Sequence, residues 1–125
     1  MKLMPLFFNL NGKRILIVGG GKEALCKAKV LVEYGTIIDV VSPTILPELM
    51  DIVSATCGKF MAFKYAGELS HLDHQYAIAA TDDRAVNALV ATTAKAQEIS
   101  VHVCDDTAAS DFLFEPTIDQ ALAGT

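Results

Sequence analysis

The sequence predicts an α/β fold: one doubly wound domain with a mostly parallel sheet. Three observations predict it. Apolar runs of strand length alternate along the chain with stretches whose apolar residues recur at three and four, the order that βαβ units produce. The strand-like runs are continuous and β-branched, as strands covered on both faces require. Glycines and prolines fall where one period gives way to the other.

The first strand is Arg14 to Val18, and Gly19, Gly20 and Gly21 follow it at once. From Lys22 to Tyr34, Ala24, Leu25, Ala28, Leu31 and Val32 form one helical face, and Gly35 supplies the stop. Thr36 to Val41 is the second strand, broken by Ser42 and Pro43, and Leu46 to Thr56 reads as a second helix ending near Gly58. A third strand is expected at Phe60 to Lys64, and a polar segment from Gly67 to Gln75 leads to a fourth at Tyr76 to Ala80. Asp82 or Asp83 caps a helix from Ala85 to Glu98, whose expected buried face is Val86, Leu89, Val90 and Ala94. Val101 to Cys104 is a fifth strand and Phe112 to Phe114 a sixth. Ligands of such sheets bind outside the carboxyl ends of the strands where the strand order reverses. Here that means the turns after Val18, Val41, Ala80 and Cys104.

Composition narrows the function classes. A chain of 125 residues is one domain, and 52% hydrophobic against 20% charged residues excludes disorder. With 10 Lys+Arg against 15 Asp+Glu, a net charge of -5 and no basic stripe, nucleic acid is not an expected partner. No apolar run approaches the roughly 20 residues of a membrane span, and the first ten residues lack the pattern of a signal peptide. Cys26, Cys57 and Cys104 are odd in number and widely spaced, so neither a disulfide framework nor a metal cage is expected, and a reducing cytoplasm fits best. They read as small apolar fillers.

Gly19-x-Gly21-x-x-Ala24 has the spacing of a Rossmann-type dinucleotide turn. The first Gly permits the tight turn, the second lets a pyrophosphate approach the backbone, and the small third residue lets helix pack on strand. Free amides at the start of that helix then face the phosphates. The alternative is a merely tight turn. At the end of the second strand, Ser42-Pro43-Thr44 stands where an acidic residue normally holds the adenosine ribose. Asp39 is mid-strand, so chemistry alone leaves NAD and NADP open, and an ordinary strand stop is the rival reading. Ala79-Ala80-Thr81-Asp82-Asp83 is small enough for a flat ring to lie over it, which makes Thr81 and Asp82 candidate cofactor contacts; as helix caps, Asp82 and Asp83 have a purely structural reading. Asp105, Asp106 and His102 cluster at the end of the fifth strand, facing the same crevice. A carboxylate there accepts a proton or holds a substrate while hydride leaves, unless Asp105-Asp106-Thr107 is only a solvated turn. His71 and His74, three apart and without a third ligand, read as surface residues.

Met4-Pro5-Leu6-Phe7-Phe8-Asn9-Leu10, Ile17-Val18-Gly19-Gly20-Gly21-x-x-Ala24-x-x-Lys27-Ala28, Ile78-Ala79-Ala80-Thr81-Asp82-Asp83-x-x-Val86-Asn87, Val103-Cys104-Asp105-Asp106 and Asp111-Phe112-x-Phe114 occur in that order. Together they resemble the NAD-binding domain of the precorrin-2 dehydrogenase and siroheme synthase family, over nearly the whole chain. The resemblance implies NAD-dependent oxidation of precorrin-2 to sirohydrochlorin in siroheme biosynthesis. The cofactor contacts it implies are Gly20, Gly21, Lys22, Glu23, Ser42, Pro43 and Thr44, joined by Gly19, Thr81 and Asp82 from the strand-end turns, and the catalytic residue it implies is Asp105. It also implies a tetrapyrrole substrate and a homodimer, with no metal ligand among these residues. This chain has Cys26 where members usually carry Arg, His102 where Asn is common, and Phe114-Glu115-Pro116 in place of a Phe-Pro pair. Residues 1–125 are read as the NAD-binding domain, with the family's helical dimerisation and substrate domain outside them. Two alternatives stand beside this: a bifunctional enzyme that also inserts iron into sirohydrochlorin, and a non-catalytic module that senses NAD(H).

Overall fold

A computed structural model describes residues 2–67 and 74–114. Five strands, β1 (Arg14–Val18), β2 (Ile37–Val41), β3 (Phe60–Met61), β4 (Tyr76–Ala79) and β5 (Ser100–Val103), form one parallel sheet in the order β3-β2-β1-β4-β5. Helices α1 (Lys22–Leu31), α2 (Pro47–Ala55) and α3 (Arg84–Ala96) are the crossovers described around it. The doubly wound reading therefore holds, with the order reversing between β1 and β4.

Strand pleating divides the core in two. Ile15 and Ile17 of β1 pack with Ala24, Ala28 and Leu31 of α1 and Leu49 and Val53 of α2. Leu16 and Val18, one residue out of step, pack on the opposite face with Val86, Val90, Ala91 and Ala94 of α3. Each large aliphatic side chain so buried contributes about 1.5–3 kcal/mol. The central strand β1 has partners on both sides: Val18 is in register with Val41 and with Ala79, so β2, β1 and β4 end level. Level ends place three loops side by side.

Several expectations need correction. The third strand stops at Met61 instead of Lys64, and Phe112–Phe114 is not a strand; it folds over the sheet edge, with Phe112 and Phe114 against His102. Apolar residues at that edge are thus kept by ring packing, without a ladder. The first helix gives way to a 3-10 turn at Val32–Tyr34 and closes on Gly35, whose φ of 72° is the left-handed conformation glycine supplies. Leu89 is 40% exposed, and the buried face of α3 turns instead through Val86, Asn87, Val90, Ala91 and Ala94. Cys26 and Cys57 are exposed, so neither fills a core.

His74 is not a surface residue. Its Nε2 lies 2.7 Å from Asp39, which is fully buried in the middle of β2 and also accepts from Arg14 Nη1 and the Lys59 amide, each at 2.8 Å. Burial opposes ionisation of Asp39, but the bonds from His74, Arg14 and Lys59 and the Arg14 charge outweigh it and hold the carboxyl below its ordinary range. His71 lies outside the described residues. Among the described residues, no helix is long and apolar enough to cross a membrane, and no His, Cys, Asp and Glu side chains gather as a metal site.

Candidate functional site

A cleft of about 810 Å³ opens at the carboxyl ends of β1, β2 and β4, where the strand order reverses. Gly19, Gly20, Gly21, Lys22, Glu23, Ser42, Pro43, Thr44, Thr81 and Asp82 all line it. They come from three loops, after β1, β2 and β4, and the level strand ends bring those loops together.

The glycine turn is built by two close approaches and one open space. Gly19 has a φ of 131°, and a Cβ there would collide with the Ala80 carbonyl. The Gly19 amide donates to the Val41 carbonyl at 3.0 Å, tying the turn to the neighbouring strand end. Gly20 is pressed against Thr44, whose carbonyl a Cβ would strike, and its own carbonyl accepts from the Leu46 amide at 2.9 Å. Gly21 differs: a Cβ there meets nothing within 4 Å, because the position faces the cleft. It is also the N-cap of α1, and no side chain caps that helix. The first-turn amides of α1, carrying the positive end of the helix dipole, therefore open onto free space. Ala24 behind them is fully buried, so the helix packs tightly on the sheet.

The opposite wall is β4 running into α3. Asp83 caps α3, its carboxylate accepting from the Ala85 amide at 2.9 Å and more loosely from the Val86 amide at 3.4 Å. The capping expected of Asp82 or Asp83 thus falls to Asp83, and Asp82 is exposed on the cleft. Sequence reading missed several lining residues, among them Ile45, Leu46, Lys64, Tyr65 and Val86. Lys64 and Tyr65 follow the shortened third strand, and no local motif marks them. Asn87 was missed as well, although it closes the motif that runs from Ile78: buried beneath Thr81, it forms three hydrogen bonds to that residue.

Asp105 stands apart from this cleft. It lines a neighbouring hollow of about 350 Å³ with Asp106, Val103, Ala109 and the outer face of α3, beginning at Arg84, the residue after Asp83. Its carboxylate is 34% exposed and 3.7 Å from Arg84 Nε, on a guanidinium that is 87% exposed, a loose pair that leaves the acid available. Asp106 caps the short 3-10 helix at Thr107–Ala109 through the Ala109 amide, a structural role. His102 does not face the crevice: alternation turns it inward, where its Nδ1 bonds the Phe112 carbonyl at 3.1 Å and burial pushes the imidazole below the ordinary histidine range. Cys104 points the same way, and burial pushes its thiol up to about 11.

A family model described as putative NAD(P)-binding matches residues 6–115. Siroheme synthases are similar over 97% of the chain: one from Chromobacterium violaceum at 38% identity and one from Pseudomonas fluorescens at 39%. The chain spans about a quarter of their length, 26% of each. Among solved structures, SirC, a precorrin-2 dehydrogenase, superposes with a TM-score of 0.75 at 23% identity, covering 90% of this chain and 54% of SirC. That likeness is one of fold.

Proposed function

The chain belongs to the putative NAD(P)-binding family, and from that premise we propose that it is the NAD-binding domain of an enzyme that oxidises precorrin-2 to sirohydrochlorin. The observation that carries the reading is the uncapped start of α1 beneath Gly21, open where a side chain would otherwise stand. An anion is favoured there by both the amides and the helix dipole. Gly20, Gly21, Lys22 and Glu23 hold the diphosphate through their backbone, with Lys22 adding a counter-charge. Ser42, Pro43 and Thr44 border one nucleoside on the β2 side, and Thr81 and Asp82 border the other on the β4 side.

NAD⁺, when bound, supplies a two-electron acceptor for hydride. Asp105 lies on the β5 side, so the nicotinamide half belongs over β4, nearest the carboxylate. Asp105 orients the tetrapyrrole and takes the proton that substrate loses as hydride departs, a role open to an exposed carboxylate. The siroheme synthase relatives support the substrate class. Substrate docking and a homodimer contact are assigned to a helical domain beyond this one, and the enzyme to a reducing cytoplasm. The test supplies precorrin-2 and NAD⁺ and follows the absorbance of sirohydrochlorin together with that of NADH. Equal appearance of the two supports the reading. NAD⁺ binding that no longer polypeptide carrying this domain converts to turnover supports the nucleotide sensor instead.

A further inference from the structure

The residue that shapes the nicotinamide wall is buried behind it. β4 ends at Ala79, and Ala80 still donates to the Val18 carbonyl at 2.8 Å, but Thr81 lies past the end of the ladder. A peptide unit there has lost its strand partner. Asn87, 1% exposed on α3, supplies the replacement. Its Oδ1 accepts from the Thr81 amide at 3.1 Å and its Nδ2 donates to the Thr81 carbonyl at 3.0 Å. An amide side chain paired with both the N–H and the C=O of one residue does what a neighbouring strand does, extending the sheet by one residue. The assignment of O and N follows from the partners, since a backbone N–H only donates and a carbonyl only accepts.

The Thr81 hydroxyl lies 2.7 Å from the same Oδ1 and accepts from the Asp83 amide at 3.2 Å. Asn87, Thr81 and Asp83 therefore form one network that sets the path of residues 81–83, and these line the cleft while Asn87 does not. We propose that Asn87 is a positioning residue for the nicotinamide half of the dinucleotide, acting through Thr81; this rests on the dinucleotide reading of the cleft. Gly19 packs against the Ala80–Thr81 peptide, but the hydrogen bonds of the network run among Thr81, Asp83, Asn87 and the start of α3 and reach neither Gly20–Glu23 nor Ser42–Thr44. Removing Asn87 should therefore harm one half of the ligand only.

Two probes separate the halves: NAD⁺, which occupies both, and ADP, which carries the adenosine and diphosphate alone. Binding of each to the 125-residue chain is measured by calorimetry for the parent and for Asn87→Ala, with thermal unfolding recorded alongside. The expected result is NAD⁺ affinity lowered about tenfold or more with ADP affinity changed less than twofold. Asn87→Asp keeps the shape and the acceptor but presents oxygen to the Thr81 carbonyl, and it should show the same split. Should Asn87→Ala fail to fold, Asn87→Asp carries the test on its own. Equal loss of both ligands, or of neither, overturns the positioning role. A parent chain that binds neither probe overturns the dinucleotide reading itself, and one that binds both leaves that reading standing whatever Asn87 does.

Discussion

Arg14 reaches across the β1–β2 pair to Asp39 with one Nη1 nitrogen 2.8 Å from each carboxylate oxygen. Asp39 is fully buried, and His74 and the Lys59 amide complete its shell. Arg14 opens β1 and Asp39 sits midway along β2, and neither lines the cleft, so the network is structural. Asp39→Ala leaves Arg14 without its acceptor and should cost about 3–5 kcal/mol. Urea unfolding checks this, and a change under 1 kcal/mol would show that the network contributes little.

The same carboxylate gives a pH dependence of definite sign. Its pKa is lower folded than unfolded, where it is about 3.9, so its contribution is fully present above that value. The contribution is lost as pH falls below about 4 and through the lowered folded value. Melting temperature of the parent should drop across this acid window, and Asp39→Asn should flatten the drop. Parallel curves for the two proteins would rule Asp39 out as the source.

Gly20 and Gly21, adjacent in sequence, should respond oppositely to the same substitution. Gly20→Ala drives a Cβ into the Thr44 carbonyl and should lower the melting temperature by several degrees. Gly21→Ala meets open space and should fold normally while NAD⁺ affinity falls about tenfold, since the methyl occupies the phosphate approach. Unchanged affinity in Gly21→Ala would move the diphosphate elsewhere.

Asp105 is off the cleft but beside it, which separates chemistry from cofactor affinity. In an enzyme that turns over precorrin-2, Asp105→Asn should lower the rate about 10²-fold or more while NAD⁺ affinity stays within twofold. A rate within threefold of the parent removes Asp105 from the mechanism.

Thiol reactivity should follow exposure. Iodoacetamide at pH 8, read by peptide mass, should modify exposed Cys26 and Cys57 well before Cys104, whose thiol burial pushes up to about 11. Early labelling of Cys104 would place that strand end in solvent.

The parallel sheet and the glycine turn were legible because both are local. A branched run such as Ile15–Val18 and the Gly19-x-Gly21-x-x-Ala24 spacing state their structure within a few residues. What escaped depends on distance. His74 meets Asp39 across 35 positions, and a histidine in a polar stretch carries no sign of a buried partner. His102 and Asp105 are three apart, yet the pleat turns one inward and the loop turns the other out, so clustering in sequence did not become clustering in space. Phe112 and Phe114 alternate as strand residues do, but ring packing on His102 accounts for them equally well. Asn87 looked like an ordinary helix residue because its partner is a peptide unit, which no side-chain pattern records.

The central claim is that a dinucleotide lies across the strand ends with its diphosphate on α1. Amide NMR of the chain titrated with NAD⁺ tests it residue by residue. The account expects the largest shifts at Gly20, Gly21, Lys22 and Glu23, with a second group at Thr81, Asp82 and Asp83. A titration that leaves the Gly20–Glu23 amides unmoved, or moves only residues outside the cleft, would contradict it.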